Sequence, residues 1–225
     1  MAENIFLFVP NVIGYARIIL NIISFWYMPT DYVLAIFCYV TSALLDAFDG
    51  HAARALNQAT KFGAMLDQLT DRAATMCLLV VLSHFYPKWM FVFQMSMTID
   101  IVCHWLHLHS CNMIGMSSHK KIDASGNPIM HLYYTSKPVL FFMCAGNELC
   151  YSSLYVLNFT EGPSISFLFF SIGLWRLLFY ICIPVAVVKS AISILHLIIA
   201  SRNIAIVDVA ERSKAREEQK NRLKH

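Results

Sequence analysis

The stretch that decides the fold is Asp46-Ala-Phe-Asp-Gly-His-Ala-Ala-Arg54, which Gly63, Asp67 and Asp71 follow at fixed spacing. Asp46 and Asp49 are spaced i, i+3, and Asp67 and Asp71 are spaced i, i+4, so each pair lies on one face of a helix turn. If the two helices form a hairpin through residues 55–62, the two pairs face each other. Neighbouring carboxylates repel one another unless protons or cations neutralise them. Because all the ligands are oxygens, a hard divalent ion is the natural neutraliser.

Small and cationic residues beside the carboxylates favour a phosphate ligand. Gly50 and Gly63 leave room for backbone or ligand to approach closely. Arg54 suits a bidentate grip on phosphate oxygens, and Thr60 and Lys61 could reach phosphate from the connecting loop. The pattern predicts pyrophosphate chemistry. The alternative is a solvated loop with helix-capping carboxylates, but such loops rarely place four Asp inside membrane-length helices.

The same stretch resembles, at every specified position, the DGxxAR…GxxxDxxxD signature of the CDP-alcohol phosphotransferase family. The resemblance extends from about residue 4 to about residue 205. Further stretches carry it: Asn4–Gly14, Leu44–Arg72, Ser125–Pro128, Tyr133–Ser136 and Cys144–Leu149. The chain is most similar to the members that use myo-inositol as the acceptor alcohol.

This resemblance implies a specific reaction, the transfer of the phosphatidyl group of CDP-diacylglycerol to myo-inositol with release of CMP. It implies two Mg²⁺ or Mn²⁺ ions, with Asp46, Asp49, Asp67 and Asp71 as ligands and Asp71 also as catalytic base. Gly50, Arg54 and Thr60 are expected to bind CDP-diacylglycerol. The implied setting is the endoplasmic reticulum membrane, and a homodimer is an additional expectation.

Composition independently indicates a membrane protein. The chain has 225 residues, is 58% hydrophobic and 14% charged, and has a mean hydropathy of +0.57. We therefore expect an all-α polytopic protein with one membrane-embedded catalytic domain at residues 1–205 and a basic cytoplasmic tail at 206–225. The seven cysteines show no CxxC spacing and imply no disulfide framework. Nucleic-acid binding is improbable for a chain anchored in this way.

The apolar segments predict a bundle of six transmembrane helices. Their approximate ranges are 9–28, 32–54, 63–86, 89–109, 133–158 and 175–200, with 164–174 as an interfacial or entering segment. Residues 164–200 could alternatively form two short helices. Arg17 lies inside the first helix, where it could contact a phosphate or pair with an acidic neighbour.

Charge asymmetry predicts the orientation. With six helices, 13 of the 17 Lys and Arg residues fall on one side, and the opposite loops contain only Lys88. The positive-inside rule places both termini in the cytoplasm and the carboxylates in the cytoplasmic leaflet.

Several alternatives concern function. Another alcohol could be the acceptor: glycerol 3-phosphate, serine, choline or ethanolamine, with Lys120, Lys121 and Lys137 as cations for a second phosphate. A divalent-cation or proton transporter could use the same carboxylates, although Arg54 beside them argues against a cation path.

Candidates for the inositol pocket are 125–137, Asn147 and Glu148. Asp100, His104 and His107 could mimic a helical zinc site, but polar residues hydrogen-bonded within the bundle are the stronger interpretation.

Overall fold

The computed structural model describes residues 3–117, 136–166 and 171–223. Six α-helices are described in these ranges: α1 (Val9–Tyr27), α2 (Tyr32–Ala55), α3 (Lys61–Phe85), α4 (Met90–Ser117), α5 (Lys137–Leu157) and α6 (Leu174–Arg222). Short 3₁₀ turns at Ile5–Leu7 and Pro87–Trp89 precede α1 and α4. The all-α fold class is confirmed.

Side-chain caps mark the starts of α2 and α3, and a more distant side chain holds the start of α1. Asp31 caps α2 by accepting from the backbone N–H groups of Val33 and Leu34, both at 3.1 Å. Thr60 caps α3 by accepting from the N–H of Gly63 at 3.0 Å, so this helix begins at Lys61, two residues earlier than expected. Gln58, in the loop between α2 and α3, accepts from the N–H of Val9 at 3.0 Å and so holds the start of α1.

Three predicted segments differ from the structure. Helix α4 continues to Ser117 instead of ending near 109. Helix α6 is continuous to Arg222, so both the predicted end near 200 and the alternative of two short helices are wrong. After Pro184 this helix contains neither Gly nor Pro and is rich in good helix formers. The segment at 164–174 contains a small antiparallel hairpin, β1 (Ser164–Ser166) and β2 (Ser171–Gly173), in which Ile165 pairs with Ile172.

The chain divides into two compact units. One contains Met1–Met97 and Glu148–Ile183, and the other contains Thr98–Asn147 and Pro184–His225. The first unit holds α1, α2 and α3 complete. Its apolar core consists of Met28, Ala35, Tyr39, Leu78, Leu79, Leu82, Phe93, Tyr155 and Val156. The Tyr155 hydroxyl donates to the carbonyl of Met28 at 2.8 Å, which joins α5 to the end of α1.

Within the part of the chain that the structure describes, four helices are long and apolar enough to cross a membrane: Val9–Tyr27, Tyr32–Ala55, Pro138–Leu157 and Leu174–Arg222. Large apolar side chains on them remain exposed, such as Trp26 at 79% and Phe141 at 74%. Surfaces of this kind on long apolar helices are suited to contact with lipid. Helices α3 and α4, of 25 and 28 residues, have spanning length but carry more polar residues. The chain is therefore a multi-pass membrane protein.

Candidate active site

One buried arginine contacts all four aspartates of the motif. The Arg17 Nη1 atom lies 2.8 Å from Asp46 Oδ1, 2.6 Å from Asp49 Oδ2 and 2.6 Å from Asp67 Oδ1. Its Nη2 atom lies 2.6 Å from Asp71 Oδ1. The predicted arrangement, in which the two carboxylate pairs face each other across a helical hairpin, is confirmed. The sequence left two roles open for Arg17, contact with a phosphate or pairing with an acidic neighbour. In the structure Arg17 pairs with acidic neighbours.

Helix α1 reaches this position because small residues let it approach its neighbours closely. A Cβ atom added at Gly14 would lie 2.9 Å from Leu66 Cδ2, and one added at Gly63 would lie 2.8 Å from Asn11 Oδ1. These two contacts join α1 to α3. On the other side, the Ser42 hydroxyl of α2 donates to the backbone carbonyl of Arg17 at 3.2 Å. The arginine is therefore fixed between the two helices that carry the aspartates.

The cluster is closed behind the arginine and open in front of the carboxylates. The Arg17 side chain is only 2% exposed, whereas those of Asp46, Asp67 and Asp71 are 41%, 43% and 37% exposed. A ligand can therefore reach the carboxylates without passing through the protein interior. The Arg17 guanidinium faces four carboxylates, and Arg72 Nη2 lies 3.7 Å from Asp71 Oδ2. Negative charge still exceeds positive charge, so the open side favours further cations.

The donor set fits a divalent metal ion. Asp46, Asp49 and Asp67 each offer one oxygen, and these oxygens lie within 4.8 Å of one another. Ions of the Mg²⁺ class bind oxygens at about 2.1 Å, so three oxygens this close together could be ligands of one such ion. An all-carboxylate set suits a hard ion. The cluster can hold a metal, and Asp71 lies beside this group of three.

The residues expected to bind CDP-diacylglycerol lie at the same end of the hairpin. Arg54, in the last turn of α2, is exposed, and its guanidinium lies beside Gly50, where an added Cβ would be 3.5 Å from Nη1. Thr60 serves as the cap of α3 described above. The space beside Gly63 is filled by Asn11 and Thr60, so this glycine serves helix packing.

Deeper in the same unit, a polar network joins α2, α3 and α5. The Tyr39 hydroxyl donates to Glu148 Oε1, and Thr75 Oγ1 lies 3.4 Å from Glu148 Oε2 and 3.2 Å from the carbonyl of Asp71. Glu148 was predicted from the sequence as a candidate for the inositol pocket, whereas Tyr39 and Thr75 were not predicted as site residues. The signal was present, because Thr75 follows Asp71 by four residues and Tyr39 precedes Asp46 by seven, and both spacings keep a residue on one helix face.

Other sequence candidates lie elsewhere. In the second unit, His104 Nδ1 is 2.7 Å from the carbonyl of Asp100, and His107 stacks on His196 with ring centroids 5.1 Å apart. Stacked rings do not direct their nitrogens at one ion, and among the described residues these side chains form no metal-binding group. The structure supports the hydrogen-bonded interpretation of Asp100 and His104. The pocket candidates 125–135 and the cations Lys120 and Lys121 lie outside the described residues.

Comparison with known proteins agrees with this geometry. Residues 7–146 match the family model described as CDP-alcohol phosphatidyltransferase. The chain is 58% identical over 212 residues to the mouse CDP-diacylglycerol–inositol 3-phosphatidyltransferase, an alignment that covers 94% of this chain and 98% of the mouse protein. The Drosophila melanogaster protein of the same name is 54% identical, and the alignment covers 96% of this chain and 92% of that protein. The Schizosaccharomyces pombe protein of the same name is 39% identical, and the alignment covers 95% of each chain. No solved structure gave a significant match.

Proposed function

This chain belongs to the CDP-alcohol phosphatidyltransferase family, and we propose that it synthesises phosphatidylinositol from CDP-diacylglycerol and myo-inositol with release of CMP. The observation that carries the proposal is the convergence of Asp46, Asp49, Asp67 and Asp71 on one point in a membrane protein. The names of relatives that are 58% and 54% identical over nearly the whole chain support inositol as the acceptor.

Two divalent ions, Mg²⁺ or Mn²⁺, are the proposed cofactors. The metal ligands are Asp46, Asp49, Asp67 and Asp71, because their oxygens are the hard donors such ions require. When bound, the ions neutralise the pyrophosphate and the negative charge that develops on the leaving CMP.

The chain's own residues position the donor. Arg54 is exposed beside Gly50 and, among the described residues, makes no ion pair, so its guanidinium can grip phosphate oxygens of the CDP group. Gly50 leaves room for this approach. Thr60 completes the proposed CDP-diacylglycerol site from the start of α3, where its hydroxyl can donate while its oxygen accepts from Gly63.

Asp71 is the proposed general base. It lies beside the group of three aspartates and is 37% exposed, so an acceptor alcohol can reach it. Asp71 takes the proton from one inositol hydroxyl, the freed oxygen forms a bond to the lipid-bearing phosphorus, and the bond from that phosphorus to the CMP oxygen breaks. Fixing this hydroxyl beside the phosphorus supplies a large part of the rate enhancement.

Glu148 is the proposed contact for the other hydroxyls of the acceptor. Inositol is an uncharged polyol, so its pocket needs hydrogen-bonding groups, and the Tyr39–Thr75–Glu148 network lies one helix turn beyond Asp71. Glu148→Gln should raise the KM for inositol while leaving the KM for CDP-diacylglycerol unchanged. Equal effects on both constants would contradict this assignment.

The proposed setting is the endoplasmic reticulum membrane, with both termini in the cytoplasm. The membrane-embedded catalytic domain would comprise residues 1–205 and the basic tail 206–225. All described residues from Asp208 onward are exposed, which supports a solvated tail. A homodimer is the proposed assembly.

An alcohol panel tests the proposed reaction. Purified protein in detergent receives CDP-diacylglycerol, a divalent ion and one alcohol at a time, and CMP release is measured. We expect release with myo-inositol and its loss in Asp46→Asn. Release with another alcohol of the panel but not with inositol would overturn the assignment of the acceptor. Ion flux through the protein reconstituted in lipid vesicles, without CMP release in the detergent assay, would favour a transporter.

A further inference from the structure

We propose that the Arg17 guanidinium is a built-in counter-ion of the aspartate cluster, and that a divalent ion binds by displacing it from Asp46, Asp49 and Asp67. This inference rests on the metal site of the proposed function and adds a positioning residue to it. Arg17 lies outside the family signature that pointed to the aspartates.

The guanidinium and a divalent ion would occupy the same place. Arg17 Nη1 lies 2.6–2.8 Å from one oxygen of each of these three aspartates. The same three residues form the group whose oxygens are close enough to share an ion. An ion that binds these oxygens at about 2.1 Å leaves no room for a guanidinium nitrogen at hydrogen-bond distance from all three. The two cations therefore exclude each other.

Arg17 keeps the aspartates together but only partly neutralises them. Four carboxylates in this space would repel one another without a cation. Arg17 supplies one positive charge to all four, and Arg72 lies 3.7 Å from Asp71 and adds a second charge at the edge of the cluster. The buried Nε of Arg17 has no hydrogen-bond partner among the described residues. A permanent structural arginine would normally satisfy all its buried donors. The guanidinium is thus suited to hold the carboxylates in place while remaining replaceable by a stronger cation.

The position of α1 does not depend on the Arg17 guanidinium. The backbone carbonyl of Arg17 accepts from Ser42, and Gly14 packs against Leu66. These contacts fix α1 independently of the guanidinium. Displacement of the guanidinium from the aspartates therefore does not require α1 to move.

The test compares Arg17→Gln with Arg176→Gln in the purified full-length protein. The control makes the same substitution at an arginine that pairs with Glu161 on an exposed surface. Mn²⁺ affinity is measured from the free-ion signal in electron paramagnetic resonance, and thermal stability is measured in EDTA and in saturating Mn²⁺. Neither readout requires turnover.

We expect Arg17→Gln to bind Mn²⁺ about tenfold more tightly than the unmodified protein, since a charged competitor of ordinary hydrogen-bond strength has been removed. We also expect its Tm to fall in EDTA and to recover in saturating Mn²⁺, because only the free cluster needs the guanidinium. Arg176→Gln should leave Mn²⁺ affinity and its effect on Tm unchanged.

Three results would overturn the proposal. Folded Arg17→Gln could bind Mn²⁺ no more tightly than the unmodified protein, or its loss in Tm could persist at saturating Mn²⁺. Both results would make Arg17 a permanent structural element. A failure of both Arg17→Gln and Arg17→Lys to fold when they are purified with Mn²⁺ present would lead to the same conclusion. If the unmodified protein binds no Mn²⁺, the metal site of the proposed function fails together with this inference.

Discussion

Replacing Asp71 with Asn should test whether this carboxylate is the base of the proposed reaction. Asn has nearly the same size, and its amide oxygen can still accept from Arg17 Nη2, which lies 2.6 Å from Asp71 Oδ1. The hydrogen bond from Thr75 goes to the backbone carbonyl of residue 71 and is kept. The variant should therefore fold normally, but it loses the ability to take a proton, and weaker metal binding by the uncharged amide should add to the loss of rate.

The expected loss of rate follows from this chemistry. Removal of a general base typically lowers the rate by about 10²–10⁴-fold, which corresponds to about 3–5 kcal/mol of transition-state stabilisation. Asp71 lies ten residues into α3, about 15 Å along the helix, and beside the group of three metal-binding candidates. CDP-diacylglycerol binding should therefore change far less than turnover. Asp46→Asn should instead weaken that binding, because Asp46 belongs to the group of three.

Single-turnover CMP release, measured with excess enzyme and saturating Mg²⁺, reports the chemical step, and a separate titration reports binding of CDP-diacylglycerol. A thermal denaturation curve verifies that both variants are folded. Turnover of Asp71→Asn close to that of the unmodified protein would refute the assignment of Asp71 as base. The inositol proton would then have to leave through water or another carboxylate.

Three further predictions concern the metal, the packing of the hairpin and the topology. Excess EDTA should abolish CMP release, and Mg²⁺ or Mn²⁺ should restore it better than Ca²⁺, which prefers larger and more flexible sites; full activity in EDTA would exclude a metal mechanism. Gly63→Ala should lower the Tm, because its Cβ would lie 2.8 Å from Asn11 Oδ1. Gly50→Ala should leave the Tm unchanged and weaken CDP-diacylglycerol binding. Equal Tm values for the two variants would contradict the packing role of Gly63. Tags at residues 1 and 225 should both be accessible from the cytoplasm in selectively permeabilised cells, and a tag at 161 should need full permeabilisation; different behaviour of the two termini would contradict an even number of membrane crossings.

The sequence predicted the first three helices and the aspartate arrangement well, because local signals determine them. Asp31 and Thr60 cap the helices that follow them, and the spacings of the aspartates fix the helix faces on which they lie. Helix α1 begins at the predicted residue and ends one residue earlier than expected, and α2 ends one residue beyond Arg54. No contact between distant segments is needed for these assignments.

The sequence did not determine the partner of Arg17, because that depends on how closely α1 approaches α2 and α3. Gly14 and Gly63 permit this approach, but their role becomes visible only when Leu66 and Asn11 are seen against them. The contact between Tyr39 and Glu148 joins residues 109 positions apart, so no local pattern could indicate it. Tertiary packing alone defines both features.

The length of α6 was missed for a different reason. Hydropathy marks where a segment leaves the membrane, whereas helix length depends on residue propensity, and the polar residues after 200 are good helix formers. The hairpin of β1 and β2 has only three residues in each strand, which is too short for a periodic signal.

The most direct test of the proposed function is competition among acceptors in a single reaction. Purified protein is given CDP-diacylglycerol, Mg²⁺ and an equimolar mixture of myo-inositol, glycerol 3-phosphate, serine, choline and ethanolamine, and the lipid product is identified by mass spectrometry. We expect phosphatidylinositol as the dominant product, in an amount equal to the CMP released. A different phospholipid as the dominant product, or CMP release without any new phospholipid, would contradict it.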